Sequence, residues 1–525
     1  MLEGFIAGLF KGRLNEKTLR LAAPPEDEET MAVLLSSLDR FLERVVDAEA
    51  IDREGKLPES VLQGMKELGL FGLVIPEEYG GFGLGIRSYG RVLAKISAHC
   101  GATAVTLGAH QSIGIKALLL AGTPEQKAEW LPQCATGERI AAYALTESEA
   151  GSDAGSLRTK LVRDGDDVVL NGEKIWITNG GIAGVFTVFA REGDTIRAVM
   201  VPREAEGLTT GREEKKLGIK GSSTTTVTMS NVRVPAGNIV GDDGFRLAMD
   251  IINHGRATLA AGSLGPARRL VALASEHTRT RRQFGRTLAE FGLVRESLAD
   301  MALDLAGMEA LVSLSGRLFD GGGPHALEAA AAKIYCSEGL WRIADRAMQL
   351  AGGVGYMSEY PYERILRDCR INRIFEGAND VLRLFVALKG LQGPGAELKE
   401  IAKRPLLALP KLTARAWRRM RVEPLHLENG HRAAAQIVAR AVKTLAVSAD
   451  ATLRRYKKEV IEAQSDLKRL ADMATECAAM AAILVEESPY ADAFVERGME
   501  RVEHWARGLG TNSDAVAQVL LGEVS

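Results

Sequence analysis

The chain has 525 residues, of which 46% are apolar, so it is long enough for several domains with sizeable buried cores. Its 66 Lys and Arg nearly balance 68 Asp and Glu, and no global charge favours a nucleic acid as a partner. Aromatic residues make up only 5% and alanine is abundant, which favours packed helices over an all-strand fold.

Five scattered cysteines include no Cys-x-x-Cys pair. This pattern is typical of reduced thiols in a cytoplasm and argues against a disulfide framework or a metal site. The N-terminal segment MLEGFIAGLFKGRL has one short apolar patch, with Glu3 before any positive charge, and it predicts neither a secretory signal nor a transit peptide. Without a convincing membrane span, we expect a cytoplasmic protein of bacterial type.

Residues 1–140 are predicted to form an N-terminal helical domain. From about Glu26 to Ile140, apolar side chains recur at intervals of three and four residues, as in LLSSLDRFLERVVDAEAIDREG. Pro76 and the Gly80-Gly81 pair punctuate this region without ending it.

Residues 141–247 are predicted to form a middle β-barrel domain. Short apolar runs such as DVVL, KIWI and VFTVFA are separated by turn pairs. The Asn171-Gly172 pair between DVVL and EKIWI predicts a hairpin, because both turn residues can adopt positive φ. We therefore expect a compact, mostly antiparallel sheet or barrel inserted between helices.

Helical patterns resume at about Phe245, and residues 248–393 are predicted to form a helical-bundle domain. Gly393-Pro394-Gly395 predicts a boundary, followed by a basic linker over 394–430 and an appended C-terminal helical domain over 431–525. The expected fold class is mainly α with an inserted β domain.

The segment RIFEGANDVLRLF contains a candidate catalytic residue, Glu376. This carboxylate lies between apolar neighbours and a glycine, just before a predicted helix that Asn379 or Asp380 can cap. Burial against Ile374 and Phe375 would raise the pKa of Glu376 towards neutrality, where it becomes an effective base. The alternative is an ordinary loop glutamate before an ordinary cap.

Other segments in chain order carry recognisable motifs. They are Tyr143-Ala144-Leu145-Thr146-Glu147 with Ala150-Gly151-Ser152-Asp153, Trp176-Ile177-Thr178-Asn179-Gly180, Arg281-Arg282-Gln283-Phe284-Gly285 and Gln349-Leu350-Ala351-Gly352-Gly353. Together with the Glu376 segment they resemble the acyl-CoA dehydrogenase family over almost the whole chain. The long C-terminal extension and the segment Thr106-Leu107-Gly108-Ala109-His110-Gln111-Ser112 are most similar to its very-long-chain subgroup.

The resemblance implies that Glu376 removes a proton from Cα of an acyl-CoA thioester while FAD accepts a hydride from Cβ, giving a trans-2-enoyl-CoA. The Glu376 backbone N–H, with a flavin ribityl hydroxyl, would stabilise the developing charge on the thioester oxygen. Residues 248–393 would then be the flavin-binding catalytic domain.

The resemblance also implies the cofactor contacts. The flavin would lie against residues of the middle and catalytic domains: Tyr143, Leu145, Thr146, Ser152, Trp176, Ile177, Thr178, Asn379 and Asp380. Arg281 and the loop with Gln349, Gly352 and Gly353 resemble groups that hold the FAD of a neighbouring subunit, which implies at least a homodimer. Phe284 would pack near the adenine. For Tyr143, Trp176 and Phe284 the alternative is a plain core role.

One residue departs from the family pattern. Ala378 stands where the family often has a Thr whose hydroxyl contacts FAD. We expect altered contacts there and not the loss of FAD.

For the substrate, the resemblance implies contacts from Ser152, Asn253, Arg256, Phe375 and Gly377. Arg256 would meet the pantetheine or nucleotide end, and a surface salt bridge is its alternative. Ala104 and Gly108 are small and lie one turn apart on a helix face. In long-chain relatives such residues leave space for a deep acyl tunnel, and close helix packing is the alternative.

A basic segment follows the catalytic domain. Seven Lys and Arg and no acidic residue lie between Lys403 and Arg421, interleaved with leucines and Trp417. Such a segment favours peripheral contact with an anionic surface of the inner membrane. A solvated linker and a dimer contact are the alternatives.

We therefore expect a long- or very-long-chain acyl-CoA dehydrogenase of β-oxidation that passes electrons to an electron-transfer flavoprotein. Two alternatives stay open at this point. One is an acyl-CoA oxidase that gives its electrons to oxygen, and the other is a weakly active scaffold or assembly protein on the same fold.

Overall fold

The computed structural model of the chain describes residues 3–403, 408–427 and 430–511. In these ranges helices come first, a sheet follows and helices resume, so the predicted fold class is confirmed. Two compact units result. The sheet unit is Pro24–Leu305 with Cys336–Gly377, and the helical unit is the described part of Met1–Ala23, Ala306–Tyr335 and Ala378–Ser525.

The N-terminal stretch of the chain is helical. Its α-helices are α1 Phe5–Leu9, α2 Glu16–Leu19, α3 Glu28–Val45, α4 Ala48–Glu54, α5 Glu59–Glu67, α6 Ile86–His99, α7 Gly101–Gly108, α8 Lys116–Ala121 and α9 Pro124–Ala135. Local signals fix several helix starts: Asp27 caps α3, and Thr123 with Gln126 forms a capping box at α9. Helices α1 and α2 belong to the helical unit, whereas the sequence placed them in the domain 1–140. The boundaries predicted near residues 140, 247 and 430 stay predictions.

An eight-stranded sheet forms the middle of the sheet unit. Its strands are β1 Ala141–Ala144, β2 Lys160–Asp164, β3 Asp167–Thr178, β4 Val185–Glu192, β5 Thr195–Pro202, β6 Leu208–Thr210, β7 Thr224–Pro235 and β8 Ile239–Val240. The order is β6-β7-β3-β2-β4-β5-β8, and β1 pairs with β4. Most pairs are antiparallel, as predicted, while β4 pairs in parallel with both β1 and β2.

The hairpin predicted at Asn171-Gly172 is wrong. Strand β3 continues through this pair, and the register with β7 shifts there in a β-bulge. The bulge is held by Asn171, whose side-chain oxygen accepts a hydrogen bond from the Asn231 N–H (2.8 Å). Gly172 is required because a Cβ would lie 2.6 Å from Thr159 Oγ1. The turn between β2 and β3 lies at residues 165–166 instead.

Helices then resume after β8. They are α10 Gly244–Thr280, α11 Gly292–Asp320, α12 Ala326–Ala351, α13 Gly353–Tyr356 and α14 Pro361–Cys369, with the short strands β9 Arg282–Gln283 and β10 Arg286–Thr287 between α10 and α11. Asp243 caps α10. Close packing of α10 on α6 requires Gly265, where a Cβ would lie 1.7 Å from the Ala94 carbonyl oxygen.

The C-terminal part of the helical unit contains α15 Asn379–Ala402, α16 Ala408–Met420, α17 Arg432–Tyr456, α18 Gln464–Val485 and α19 Ala491–Arg507. The break predicted at Gly393 is wrong, because α15 runs through Pro394. The Arg415 guanidinium of α16 donates a hydrogen bond to the Pro394 carbonyl (3.0 Å), which joins α16 to α15 at this point. Part of the predicted linker 394–430 is therefore helical.

Candidate active site

Glu376 has an unusual backbone conformation. Its φ is +57°, and Gly377 follows with φ +93°. A non-glycine residue in this region is strained by roughly 1–3 kcal/mol and persists only where its surroundings fix it, often at a functional site. Here Arg256 Nε donates a hydrogen bond to the Glu376 carbonyl (3.1 Å).

The Glu376 carboxylate lies against the middle of α10. A Cβ at Gly255 would be 2.6 Å from Glu376 Oε2 and 3.0 Å from Ile113 Cγ2. Glycine at this position therefore leaves the space that the carboxylate occupies. The sequence contained this residue in the Asn253–Arg256 segment, but nothing in the pattern singled it out.

Arg256 is buried beside Glu376. It is 9% exposed, and its Nη1 donates to Asn253 Oδ1 (2.9 Å), so the alternative of a surface salt bridge is wrong. Burial lowers the pKa of Arg256 and raises the pKa of Tyr143, and the Glu376 charge raises the pKa of both. These groups form one electrostatic cluster, while a substrate contact by Arg256 stays a prediction.

Glu376 lines a cavity of about 130 Å³ in the sheet unit. The walls come from α7 and the π-helical segment Ala109–Gly114, from α10, and from α14 with the residues that follow it. Of the predicted site residues, this cavity brings together Ala104, Gly108, Thr178, Phe375 and Glu376. The π-helix is a rare form that often marks functional sites.

Gly108 faces open space. A Cβ there would meet no atom within 4 Å, so the alternative of close helix packing is wrong for this residue. By length and composition Gly101–Ala121 could cross a membrane, but 67% of its apolar window is buried inside the unit. This stretch is therefore a core element of the sheet unit, and its small residues Ala104 and Gly108 line the cavity.

The expected burial of Glu376 by Ile374 is wrong, because Ile374 is 52% exposed. Phe375 is partly buried and lines the cavity, so the apolar surroundings of the carboxylate come from Phe375 and the helices opposite.

Trp176 stands on the surface at the end of β3. It is 63% exposed with φ +56°, next to a register shift between Lys174 and Ile177, so the core alternative is wrong for Trp176. Ile177 points into the sheet core and is 2% exposed, which leaves only its backbone for a cofactor contact. Thr178 then lines the cavity.

A buried ion pair joins β3 to the segment after β1. Lys174 Nζ donates to Glu147 Oε1 (2.7 Å) and to the Leu145 carbonyl (3.0 Å). Glu147 also accepts a hydrogen bond from the Thr159 N–H (2.9 Å). The pair fixes the backbone that carries Leu145 and Thr146. Sequence reasoning missed it, because nothing in the chain indicates that Lys174 faces inward.

These residues fit an FAD. Trp176 offers an exposed aromatic face and lies two residues before Thr178, which lines the cavity. The Lys174–Glu147 ion pair holds the segment with Leu145 and Thr146 in place. A Cβ at Gly151 would meet no atom within 4 Å, and Ser152 beside it is exposed, so the surface there is open. When bound, FAD would supply the hydride acceptor.

The other predicted FAD contacts lie away from the cavity. Arg281 and Gln349 are exposed, and Phe284 is 93% exposed with φ +49°, so its core alternative is wrong. A Cβ at Gly352 or Gly353 would meet no atom within 4 Å. Their contact with a neighbouring subunit's FAD stays a prediction.

The predicted caps of α15 are wrong. This helix begins at Asn379 after Ala378, without a side-chain cap. Asn379 is 3% exposed, and its Oδ1 instead accepts from Lys333 Nζ (2.8 Å) within the helical unit. Asp380 is an exposed residue 3.5 Å from Arg383 Nη1. Their roles toward FAD stay predictions.

The basic segment 403–421 is partly internal. Residues 404–407 lie outside the described residues, as does the side chain of Arg418. Arg415 and Arg419 are 2% and 3% exposed and bind Asp450 at 2.8 and 2.6 Å. A fully solvated linker is therefore wrong for α16. Trp417 and Met420 remain exposed, at 57% and 55%.

Comparisons with known proteins cover nearly the whole chain. Sequence-family models match 27–138 (acyl-CoA dehydrogenase, N-terminal domain), 142–232 (middle domain), 242–391 (C-terminal domain) and 430–505 (ACAD9/ACADV, C-terminal domain). The mouse very long-chain specific acyl-CoA dehydrogenase is 39% identical over 524 residues, which is 93% of this chain and 79% of that protein.

Solved structures also match the fold of this chain. An acyl-CoA dehydrogenase complexed with FAD from Bacillus anthracis has a TM-score of 0.84 at 32% identity, covering 99% of this chain and 94% of that one. A chain described as electron transferring flavoprotein of Acidaminococcus fermentans has a TM-score of 0.67 at 32% identity, covering 70% and 99%. The resemblance in the motifs is confirmed: the chain belongs to the acyl-CoA dehydrogenase family.

Proposed function

We propose that this protein uses FAD to dehydrogenate long- or very-long-chain acyl-CoA to trans-2-enoyl-CoA in fatty-acid β-oxidation. The placement of Glu376 carries the proposal, because a strained backbone holds its carboxylate at the wall of a cavity. The mouse relative, named for very long chains, supports the substrate class.

In this proposal Glu376 accepts the proton that leaves Cα. A bound acyl chain would displace water from around the carboxylate, which favours proton transfer from carbon. The Glu376 backbone N–H would stabilise the negative charge that develops on the thioester oxygen, and Arg256, which donates to the Glu376 carbonyl, holds that backbone in place. When bound beside Trp176 and Thr178, FAD would supply the acceptor for the hydride that leaves Cβ.

The acyl chain occupies the space beside Ala104 and Gly108. The open space at Gly108 supports this placement, since a larger side chain there would project into the cavity and not into protein. The pantetheine and nucleotide parts of the substrate are assigned to Ser152, Asn253, Arg256 and Gly377.

We infer that the working enzyme is at least a homodimer. The support is the exposure of Phe284, together with the exposed Arg281 and Gln349 and the open surface at Gly352 and Gly353. These residues would complete the FAD site of a second copy. Sedimentation of the holoenzyme, and of a Phe284→Asp variant, tests this proposal: a wild-type monomer with full FAD content would contradict it.

Peripheral contact with an anionic membrane surface is proposed for the outer face of α16. Trp417 and Met420 supply that face and Arg421 follows directly after the helix, while Arg415 and Arg419 are engaged internally. A cytoplasmic location rests on the buried free cysteines. Co-sedimentation with anionic and neutral vesicles, for the wild type and a Trp417→Ala/Arg421→Gln variant, tests the contact, and equal negligible binding would contradict it.

The proposed physiological acceptor is an electron-transfer flavoprotein. A purified holoenzyme assayed on a series of saturated acyl-CoAs, with flavoprotein and oxygen as separate acceptors, tests the whole proposal. We expect flavin bleaching by long chains and fast reoxidation by the flavoprotein only. Fast reoxidation by oxygen would make the protein an oxidase, and a colourless, inactive protein would make it a scaffold.

A further inference from the structure

One part of the acyl cavity is polar. Arg364 and Asp368, one turn apart on α14, line it together with Ser97 of α6. Arg364 is 7% exposed, and its Nε has no hydrogen-bond partner among the described residues. Its Nη1 and Nη2 lie 3.5 Å from the His99 carbonyl, at the outer limit of a hydrogen bond.

This polar group lies far from the reacting carbons. A Cβ at Gly101, the first residue of α7, would be 3.0 Å from Asp368 Oδ2, whereas Ile113 lies beside Gly255 and the Glu376 carboxylate. The helical rise from Gly101 to Gly108 alone is about 10 Å. Arg364 and Asp368 therefore face the distal part of an acyl chain whose thioester is at Glu376.

A hydrocarbon tail would leave these polar atoms without a match. A buried guanidinium N–H without an acceptor is costly, and an alkyl group cannot provide one. The Asp368 carboxylate has one oxygen bonded by the Ile219 N–H, and its other oxygen is 4.0 Å from Arg364 Nη1. The pair thus offers a donor and an acceptor to a guest in the cavity.

A hydroxyl group matches both, since it accepts from Arg364 and donates to Asp368. A carboxylate would be attracted by Arg364 but repelled by Asp368. Burial raises the pKa of Asp368 to about 6, while the Ile219 N–H and the Arg364 charge favour its ionised form, which acts as an acceptor.

We propose that Ser97, Arg364 and Asp368 form a specificity site for acyl-CoA substrates with a hydroxyl group near the distal end of the chain. This inference rests on the proposed dehydrogenation at Glu376 and names a substrate class for it. The hydroxyl is only bound and takes no part in the chemistry.

The test compares three CoA thioesters of equal chain length on the holoenzyme: hexadecanoyl-CoA and its ω-hydroxy and ω-carboxy counterparts. We expect kcat/KM to be about tenfold higher for the hydroxylated chain than for the plain one. Arg364→Met should abolish that ratio while plain hexadecanoyl-CoA is still dehydrogenated. Ser97→Ala, a milder change, should lower the ratio if Arg364→Met does not fold.

Lys95→Gln is the matched control, on the helix that carries Ser97. Lys95 binds Asp39 (2.7 Å) and does not line the cavity, so its loss should leave the ratio unchanged. Equal kcat/KM for plain and hydroxylated chains, a preference for the ω-carboxy chain, or a ratio that persists in folded Arg364→Met would each overturn the inference. If no thioester bleaches the flavin, the proposed function fails instead, and equilibrium binding of the same three thioesters still decides the specificity site.

Discussion

Glu376 and the arginines of α16 both lie in short runs of sequence that suggest a function, yet the structure holds them differently. Glu376 has a positive φ, faces Gly255 and lines a cavity. Arg415 and Arg419 are turned inward onto Asp450. A run of charged residues in the sequence therefore does not show which of the side chains face the interior. A charged side chain is available for chemistry only where its backbone conformation directs it into a cavity and no buried residue of opposite charge already binds it.

The largest effect is expected when the charge of Glu376 is removed, because this carboxylate is the proposed base. Glu376→Gln keeps the shape of the side chain but removes the base, so kcat should fall by roughly three or more orders of magnitude. The FAD content should be unchanged. Steady-state assays with a long-chain acyl-CoA measure the effect, and Glu214→Gln, at an exposed loop carboxylate, is the control. Turnover near the wild-type value would transfer the catalytic role to another residue.

Two arginines of the basic segment, one buried and one exposed, should differ in their contribution to the free energy of unfolding. Arg415→Met leaves Asp450 without one of its buried partners, and we expect a loss of about 3 kcal/mol in the free energy of unfolding. Arg421 is exposed and lies over the Trp417 ring at 4.3 Å, so Arg421→Met should cost less than about 1 kcal/mol. Urea unfolding of both variants gives the two values. Equal small losses would mean that Arg415 is not held internally.

The ion pair behind the proposed flavin surface offers a related test. Lys174→Met leaves the Glu147 carboxylate buried without its cation, and this should cost about 3 kcal/mol of stability. It should also weaken FAD retention during gel filtration, because Leu145 and Thr146 lose their anchor. Lys160→Met, at an exposed residue of β2, is the control. If Lys174→Met retains FAD like the control, the ion pair does not position the flavin surface.

A further prediction concerns the length of the acyl chain. Gly108→Leu fills open space in the cavity, so kcat/KM for long acyl-CoA should fall at least about tenfold while short chains are little affected. Leu120→Ile, at an exposed residue near the end of α8, is the control. Equal losses on long and short chains would show that Gly108 does not border the acyl path.

Much of the fold was predictable, since periodic apolar patterns mark the helices and short apolar runs mark the strands. The failures have local physical causes. Asn171-Gly172 forms a bulge because Asn231 and Thr159 lie across from it. Helix α15 runs through Pro394, where the distant Arg415 contacts it, although proline cannot donate the usual helical hydrogen bond. Such long-range partners leave no mark on the local pattern.

The candidate site likewise contains residues that the sequence predicted and residues that it did not. Glu376, Gly108 and Thr178 were predicted and do meet at one cavity. Gly255 and the Lys174–Glu147 pair were not, because each depends on two segments that come together only in the fold. The Arg364–Asp368 pair was not, because the four-residue spacing does not show that this side of α14 faces a cavity. The caps assigned to Asn379 and Asp380 failed because Lys333 takes the Asn379 side chain.

The most direct test of the central claim is proton exchange at Cα. An acyl-CoA analogue with sulfur in place of Cβ cannot release a hydride, so any exchange of its Cα hydrogens reports the base alone. The holoenzyme in D₂O should introduce deuterium at Cα, detected by mass spectrometry, whereas Glu376→Gln with the same FAD content should not. Equal exchange by the two proteins would contradict the assignment of Glu376 as the base.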